Sequence, residues 1–316
     1  MGSRSQGRLL FERRKNMNHL NWKGVMPAIT TCFDERLSVD YGFVAGHVSW
    51  LIASGCTGIV TPGSLGEGAT LSCEEKLALW RTCVEAAAER APVVAAISSL
   101  STEEAIRLAK GAADQGCRGL MVLPPYVYQG DWRETRAHVS AIMRATGLPC
   151  MLYNNPVAYG TDFLPEQIAA LAGEHQTFEA VKESSADVRR VTAIRALAGE
   201  RLAIFVGVDD AIVEGIAMGA VGWVAGLANA FPRESVELFE AAARGESARA
   251  FELYRWFLPL LRMDTVPKFV QLIKLAQQEV NRGSARVRPP RLELSGAELV
   301  QALDTIRVAL ATRPQL

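Results

Sequence analysis

The chain has 316 residues, of which 49% are hydrophobic, and its 34 basic residues balance 34 acidic ones. This length and apolar share suit one large domain or two small ones with a sizeable core. Balanced charge gives no net field that would recruit nucleic acid or an anionic membrane, so function is expected in a local site for a small molecule.

The first sixteen residues are basic, with Glu12 as their one acid. They lack the apolar core and the cleavage site of a secretory signal. We therefore predict a disordered extension over residues 1–20 of a cytoplasmic protein. Six cysteines and four histidines are scattered without the usual zinc spacings, which predicts reduced core cysteines and no metal site.

From Gly24 onward, short apolar runs alternate with amphipathic helical segments. Continuous apolarity predicts strands that are covered on both faces. The eight runs are Val25–Thr31, Gly58–Thr61, Val93–Ile97, Gly119–Leu123, Pro149–Tyr153, Phe178–Lys182, Leu202–Val206 and Val221–Ala225. Eight strand–helix units fit an α/β fold of the (β/α)8 TIM barrel type, which typically takes about 250 residues. No G-x-G-x-x-G follows the first run, which disfavours an open doubly wound sheet.

Helices are predicted between the runs, where Ser72 with Glu75 and Ser101 with Glu104 fit the capping box of a helix start. Three more helical patterns follow without strands, over Ser247–Leu261, Pro267–Asn281 and Ala297–Ala311. The expected organisation is a barrel over residues 21–245 and a helical appendage over 246–316. The uncharged stretch 215–232 is interrupted by glycines, so we interpret it as a helix end, a turn and a buried strand, not as a membrane span.

Active groups of such barrels lie at the carboxyl ends of the strands. The run Phe178–Val181 leads into Lys182, whose ammonium would then lie at a low-dielectric barrel mouth. Desolvation disfavours the charged form, and a free amine attacks a carbonyl or imine carbon and holds it as a protonated Schiff base. A lysine that snorkels to solvent or pairs with an acid fits the position equally well.

Two neighbouring segments add to this hypothesis. Tyr153 closes the preceding strand, where its phenol could shuttle protons beside Lys182 or serve only as a strand aromatic. Glycines open the loop Gly63–Glu67, whose amides and one hydroxyl could bind a carboxylate, although many such loops look alike. Asp209 and Asp210 are expected to cap the helix after strand seven.

Together these segments resemble the dihydrodipicolinate synthase/N-acetylneuraminate lyase family of Schiff-base barrels. The family pattern G-[ST]-x-G-E is met by Gly63–Glu67, Y-N-x-P by Tyr153–Pro156, and K-[ED]-[SA]-[ST] by Lys182–Ser185. With the three C-terminal helices, the resemblance extends from about Asn21 to Leu316.

The resemblance implies that Lys182 is the Schiff-base lysine and Tyr153 the proton relay. It implies that Ser64, with the amides of Ser64 and Leu65, receives the substrate carboxylate. Further substrate-binding residues follow from the same resemblance: Gly63, Ser184, Gly207 and Tyr126. It also implies a homotetramer that needs no cofactor, because the lysine supplies the electron sink. Tyr126 and its neighbour Tyr128 fit subunit contacts equally well.

Three departures argue against lysine biosynthesis. Leu65 replaces a second threonine, Ala158 replaces an arginine that binds a second substrate, and Val127 replaces a tyrosine contributed across a subunit interface. Other stretches resemble the bacterial 1-pyrroline-4-hydroxy-2-carboxylate deaminases of hydroxyproline degradation; they are residues 153–156, 207–210, 219–224, 229–234 and 253–257.

We therefore expect a deaminase that releases ammonia and 2,5-dioxopentanoate from this cyclic imine. The acid for the departing hydroxyl stays open between Tyr153, Ser184 and a held water. The alternatives are a 2-oxo-3-deoxy sugar-acid dehydratase or a pyruvate-type aldolase of the same family, and a non-catalytic ligand-binding barrel.

Overall fold

A computed structural model describes residues 20–125 and 127–316. In it, eight parallel strands form one sheet in the order β1-β8-β7-β6-β5-β4-β3-β2. A parallel bridge between Ala28, just beyond β1, and Val60 in β2 closes the sheet, so the predicted (β/α)8 barrel is confirmed. The strands are β1 Gly24–Val25, β2 Ile59–Thr61, β3 Val93–Ile97, β4 Gly119–Val122, β5 Cys150–Asn154, β6 Phe178–Glu183, β7 Ala203–Val206 and β8 Gly222–Trp223.

Helices follow the strands and cover the outside of the barrel. Those described are α1 Tyr41–Ala53, α2 Cys73–Ala87, α3 Thr102–Asp114, α4 Trp132–Met143, α5 Pro156–Tyr159, α6 Pro165–Glu174, α7 Arg189–Ala198, α8 Ile212–Ala217, α9 Pro232–Ala243, α10 Ser247–Leu261, α11 Phe269–Glu279 and α12 Gly296–Ala311. The last three are the predicted C-terminal helices. The domain boundary at residue 245 stays a prediction.

The two predicted capping boxes differ. At the start of α2, Ser72 Oγ accepts from the Glu75 amide at 3.2 Å and the Glu75 carboxylate accepts from the Ser72 amide at 2.9 Å, which confirms the first. At the start of α3, only one of the two hydrogen bonds of the second capping box forms. Ser101 Oγ accepts from the Glu104 amide at 3.2 Å, but the Glu104 carboxylate accepts from the hydroxyl of Ser99. A nearer hydroxyl donor has replaced the backbone amide.

Other boundaries shift by a few residues. The first run pairs as a strand only over Gly24–Val25, since Pro27 has no N–H to donate and joins the barrel through its carbonyl, which accepts from Val60 at 2.9 Å. Helix α4 ends at Met143 rather than Thr146. Of the cysteines, Cys73 is exposed at the start of α2 and therefore is not a core residue; all six are free.

The uncharged stretch 215–232 holds the end of α8, strand β8 and a 3₁₀ turn over Leu227–Asn229, as predicted. None of the helices in the described ranges has both the length and the apolar character that crossing a bilayer requires. The predicted extension over residues 1–20 lies, except for Leu20, outside the described residues.

Two contacts position the candidate site at the carboxyl end of the barrel. Strands β5 and β6 pair in a register that sets Tyr153 beside Lys182. The 3₁₀ turn Arg262–Thr265, which follows α10, packs on the turn Asp209–Ala211 after β7. The C-terminal helices thereby bring side chains to the same end of the barrel as the strand termini.

Candidate active site

Lys182 and Tyr153 lie side by side at the barrel mouth. The two residues are 7% and 6% exposed, and Lys182 Nζ lies 4.0 Å from the centroid of the Tyr153 ring. Lys182 therefore does not snorkel to solvent. Among residues 20–125 and 127–316 it forms no salt bridge with a carboxylate, so the alternative of a structural ion pair is not met either. The Lys182 amine instead contacts the face of the Tyr153 ring.

Gly207 provides the space that the Lys182 side chain occupies. A Cβ atom built on this residue would lie 2.0 Å from Ser184 Oγ and 2.5 Å from Lys182 Cε. Only glycine fits such a close approach. Ser184 Oγ is buried and has no hydrogen-bond partner within the described ranges, which is costly for a hydroxyl unless something else uses it. The structure thus brings Ser184 and Gly207 to Lys182.

The loop after β2 brings Ser64 to the same end of the barrel. Ser64 Oγ hydrogen-bonds to the hydroxyl of Tyr159, whose ring meets the Tyr153 ring edge-on at 5.7 Å between centroids. Side chains therefore connect the loop to the lysine through two tyrosines. The backbone amides of Ser64 and Leu65 donate to no acceptor in the described parts of the chain, so both are available to an anion.

Close packing sets the shape of this loop. A Cβ atom on Gly66 would lie 2.9 Å from the Ile29 carbonyl oxygen, and one on Gly68 would lie 2.5 Å from that of Pro62. Between them Glu67 takes a left-handed backbone conformation, with φ of 53°, which costs free energy in any residue but glycine. Gly63, by contrast, has room for a Cβ, with the Met121 methyl 3.5 Å away as its nearest contact.

The Glu67 side chain forms a buried ion pair. Lys274 on α11 donates to Glu67 Oε1 at 2.5 Å and to the Arg286 carbonyl at 2.6 Å, and both charged groups are nearly inaccessible, at 1% and 0%. The Arg288 amide donates to Glu67 Oε2 at 3.0 Å. Burial lowers the pKa of Lys274, and the negative charge of Glu67 opposes this shift. The C-terminal helices thereby anchor the Ser64 loop.

Neither Asp209 nor Asp210 caps the helix after strand seven, so that prediction is wrong. The Asp209 carboxylate accepts from the Trp223 indole at 2.9 Å and from the amides of Gly226 and Leu227 at 3.1 Å and 2.8 Å. Helix α8 has no side-chain cap. Because β7 and β8 are neighbours, the free amides beyond β8 lie closer to this carboxylate than the helix start does.

A second carboxyl group lies against Asp209. Asp264, from the turn after α10, sits over Gly226, where a Cβ would come within 2.5 Å of its Oδ1. Burial raises the pKa of Asp264, and the charge of Asp209 raises it further. Burial also raises the pKa of Asp209, while Lys182 lowers the pKa of both groups. Half-buried Asp264 is therefore near enough to Lys182 to be affected by the charge of the lysine.

Of the remaining predicted residues, Tyr126 lies outside the described ranges. Its neighbour Tyr128 is exposed and donates a hydrogen bond to Glu134 at 2.9 Å. Sequence reasoning missed three residues that the structure adds to the site: Tyr159, Lys274 and Asp264. A lysine within the apolar stripe of α11, beside Val270 and Ile273, was the one pattern that could have indicated a buried acid as its partner.

Comparison with known proteins gives a consistent result. The model of the dihydrodipicolinate synthetase family matches residues 21–309. The 4-hydroxy-tetrahydrodipicolinate synthase of Agrobacterium fabrum is 34% identical over 283 residues, which are 90% of this chain and 96% of that protein. The synthase of Methanocaldococcus jannaschii is 30% identical over 274 residues, or 87% and 94%.

Solved structures of the same family superimpose on this chain. A dihydrodipicolinate synthase from Bacillus anthracis superimposes with a TM-score of 0.88 at 28% identity and covers 94% of this chain and 100% of its own. A prophage protein of the same family from E. coli K12, solved in complex with pyruvate, superimposes with a TM-score of 0.86 at 25% identity and covers 92% and 99%.

Proposed function

Because the chain belongs to the dihydrodipicolinate synthetase family of Schiff-base lyases, we propose that it is an enzyme that deaminates and dehydrates 1-pyrroline-4-hydroxy-2-carboxylate. One arrangement carries the proposal: Lys182 lies against Tyr153, and Tyr159 connects Tyr153 to a loop with free amides. In addition, Ala158 provides no cation for a second carboxylate. That arrangement suits a small substrate with one carboxylate beside one electrophilic carbon.

In the first step, the amine of Lys182 attacks C2 of the cyclic imine, and the ring nitrogen leaves C2 but stays bonded to C5. Tyr153 supplies the proton that the departing nitrogen needs. The carboxylate on C2 binds the amides of Ser64 and Leu65 and the hydroxyls of Ser64 and Tyr159. The product is a protonated Schiff base, which is an electron sink.

In the second step, the iminium accepts the electrons released when C3 loses a proton, and the C4 hydroxyl leaves as water. Tautomerisation converts C5 to an imine, whose hydrolysis gives an aldehyde and ammonia. Hydrolysis of the lysine adduct releases 2,5-dioxopentanoate. Overall one water is consumed and one ammonia is formed, and the lysine serves as the electron sink without an organic cofactor.

The chief competing function is that of a 4-hydroxy-tetrahydrodipicolinate synthase, the activity for which the relatives are named. A 4-hydroxy-tetrahydrodipicolinate synthase must bind two substrates, and the resemblance assigns the second carboxylate to an arginine at the position of Ala158. Ala158 is exposed, and its amide is already bonded to the side chain of Asn155 at 3.0 Å. This position therefore offers neither a charge nor a free donor to a second substrate.

An aldolase or a sugar-acid dehydratase is favoured by one finding, the pyruvate bound to the E. coli K12 relative. Such an enzyme would use the same lysine but would release pyruvate, or a dioxo acid without ammonia. A ligand-binding barrel would bind without turnover.

The discriminating experiment is an assay of ammonia release from 1-pyrroline-4-hydroxy-2-carboxylate by the purified protein, with Lys182→Ala as the control. We expect ammonia and 2,5-dioxopentanoate in equal amounts from the wild type and neither from the variant. Dioxo product without ammonia from a sugar acid, or pyruvate release, would replace this proposal by the corresponding alternative.

We further propose that the enzyme acts as a homotetramer in the cytoplasm. The six free cysteines suit a reducing compartment. Val127, on the loop after β4, and Val157, in α5, are 95% and 78% exposed, so a neighbouring subunit that covered them would gain free energy from their burial. The molar mass in solution from light scattering tests the assembly, and a monomer would contradict it.

A further inference from the structure

Asn155 occupies the position between the end of β5 and the first residue of α5, Pro156. It is the N-cap residue of this short helix: its Oδ1 accepts from the Ala158 amide at 3.0 Å. Its backbone carbonyl accepts from the Tyr159 amide, also at 3.0 Å. Both interactions satisfy groups that a helix terminus leaves open, so the backbone holds Asn155 in one place.

The cap also fixes which way the Asn155 amide faces. Only the oxygen of a side-chain amide accepts a hydrogen bond, so the cap places Oδ1 toward Ala158 and Nδ2 on the opposite side. There Nδ2 donates to the hydroxyl oxygen of Tyr153 at 3.0 Å. The Asn155 side-chain amide therefore makes two hydrogen bonds: its oxygen caps the helix and its nitrogen binds the phenol.

This contact determines what the Tyr153 hydroxyl does. A phenol has one hydrogen to donate and lone pairs that accept, and Asn155 occupies an accepting position. The hydrogen of Tyr153 is therefore turned away from Asn155 and is left for another acceptor. On the other side of the tyrosine, its ring face contacts Lys182 Nζ.

We propose that Asn155 is a positioning residue for proton transfer: it orients the Tyr153 hydroxyl and stabilises the phenolate that forms when the proton is given away. The inference rests on the proposed roles of Lys182 and Tyr153. In Schiff-base formation Tyr153 gives its proton to the oxygen or nitrogen that leaves the carbon held by Lys182. In hydrolysis the phenolate takes a proton back from the water that attacks that carbon, so the proton is returned.

Three variants separate the two functions of Asn155. Asn155→Ser and Asn155→Asp both keep a good N-cap, but serine is too short to reach the phenol and aspartate has no N–H to donate. Asn155→Ala loses the cap as well. We expect the rate of borohydride trapping with pyruvate to fall about tenfold in the serine variant, the effect of one hydrogen bond to a charged group, and further in the aspartate variant.

The melting temperature and the pH profile complete the test. Serine and aspartate variants should melt close to the wild type and the alanine variant lower, while the aspartate variant should shift the basic limb of the trapping rate to higher pH. A double-mutant cycle is decisive: on a Tyr153→Phe background, Asn155→Ser should leave the residual rate unchanged.

An equal loss on the Tyr153→Phe background, or a wild-type rate in Asn155→Ser, would overturn the inference while leaving the proposed function intact. If borohydride labels the wild-type protein with neither pyruvate nor the cyclic imine, the proposed function is overturned, and this inference with it.

Discussion

Lys182 and Lys274 are both buried, but their amines have opposite surroundings. Lys274 meets a carboxylate at 2.5 Å and a carbonyl at 2.6 Å, so its charge is paired and hydrogen-bonded. Lys182 faces the Tyr153 ring, and within the described residues no carboxylate pairs with it. Buried charge is costly unless it is paired, so the lack of a carboxylate in contact with Lys182 in the described ranges supports the proposal that its amine serves another purpose. These contacts fit the catalytic role proposed for Lys182 and a structural role for Lys274.

The largest expected effect is on turnover. Lys182→Met removes the nucleophile but keeps the bulk of the side chain, so we expect the rate of product formation to fall at least about 1,000-fold. Thermal melting should stay near that of the wild type, because no ion pair is lost. A variant that retains a substantial rate would show that the two lysines do not differ in the way proposed.

The reciprocal substitution should act on stability first. Lys274→Met leaves buried Glu67 with a more distant cation, the Arg291 guanidinium 3.9 Å from its Oε2, so the free energy of unfolding should fall by about 3 kcal/mol, measured by urea denaturation. Adding Glu67→Gln should cost less than the sum of the two single changes, because the groups interact directly. Additive losses would mean that the pair is not coupled.

His47 extends the comparison to a third buried base. Asn229 fixes its tautomer: the Asn229 amide nitrogen donates to Ala28 and Gly226 carbonyls, so its oxygen faces His47 Nε2, which donates at 2.9 Å. His47 Nδ1 is buried without a partner in the described ranges. Burial lowers the pKa of His47 to about 4.

A lowered pKa for a base means that the unfolded chain binds the proton more tightly. The stability contributed by neutral His47 is therefore complete above about pH 6.5 and is lost as the pH falls toward about 4. Between about pH 7 and pH 5 the wild type should lose about 2 kcal/mol more than His47→Gln does. Parallel curves of unfolding free energy against pH would contradict this.

The smallest effect concerns the carboxylate end of the site. Tyr159→Phe removes the hydroxyl that bonds to Ser64, so we expect KM for the substrate to rise about 3- to 10-fold while kcat changes little. An unchanged KM with a lower kcat would move Tyr159 from substrate binding to proton transfer.

Sequence patterns predicted the parts of the site that depend on neighbouring strands. Tyr153 and Lys182 end consecutive runs, and consecutive parallel strands pair, so their proximity follows from local order. The contact of Glu67 with Lys274 spans 207 positions, and no local pattern specifies it. Asp209 illustrates the opposite error, since a helix start was its nearest partner in sequence but the amides beyond β8 are its partners in space.

Asn155 shows a different limit. The Y-N-x-P pattern specifies Tyr, Asn and Pro, but the residue that donates to the Tyr153 hydroxyl is Asn155, at the variable x position. Its dual contact requires both the cap geometry of α5 and the rotamer of Tyr153, and neither is encoded in the spacing alone.

The proposed Schiff base on Lys182 can be trapped by borohydride reduction of the wild-type protein with 1-pyrroline-4-hydroxy-2-carboxylate, followed by peptide mass mapping. We expect one covalent adduct, on the peptide that contains Lys182, and an unmodified Lys274. An adduct on another lysine, or an intact mass that does not change after reduction, would contradict this proposal.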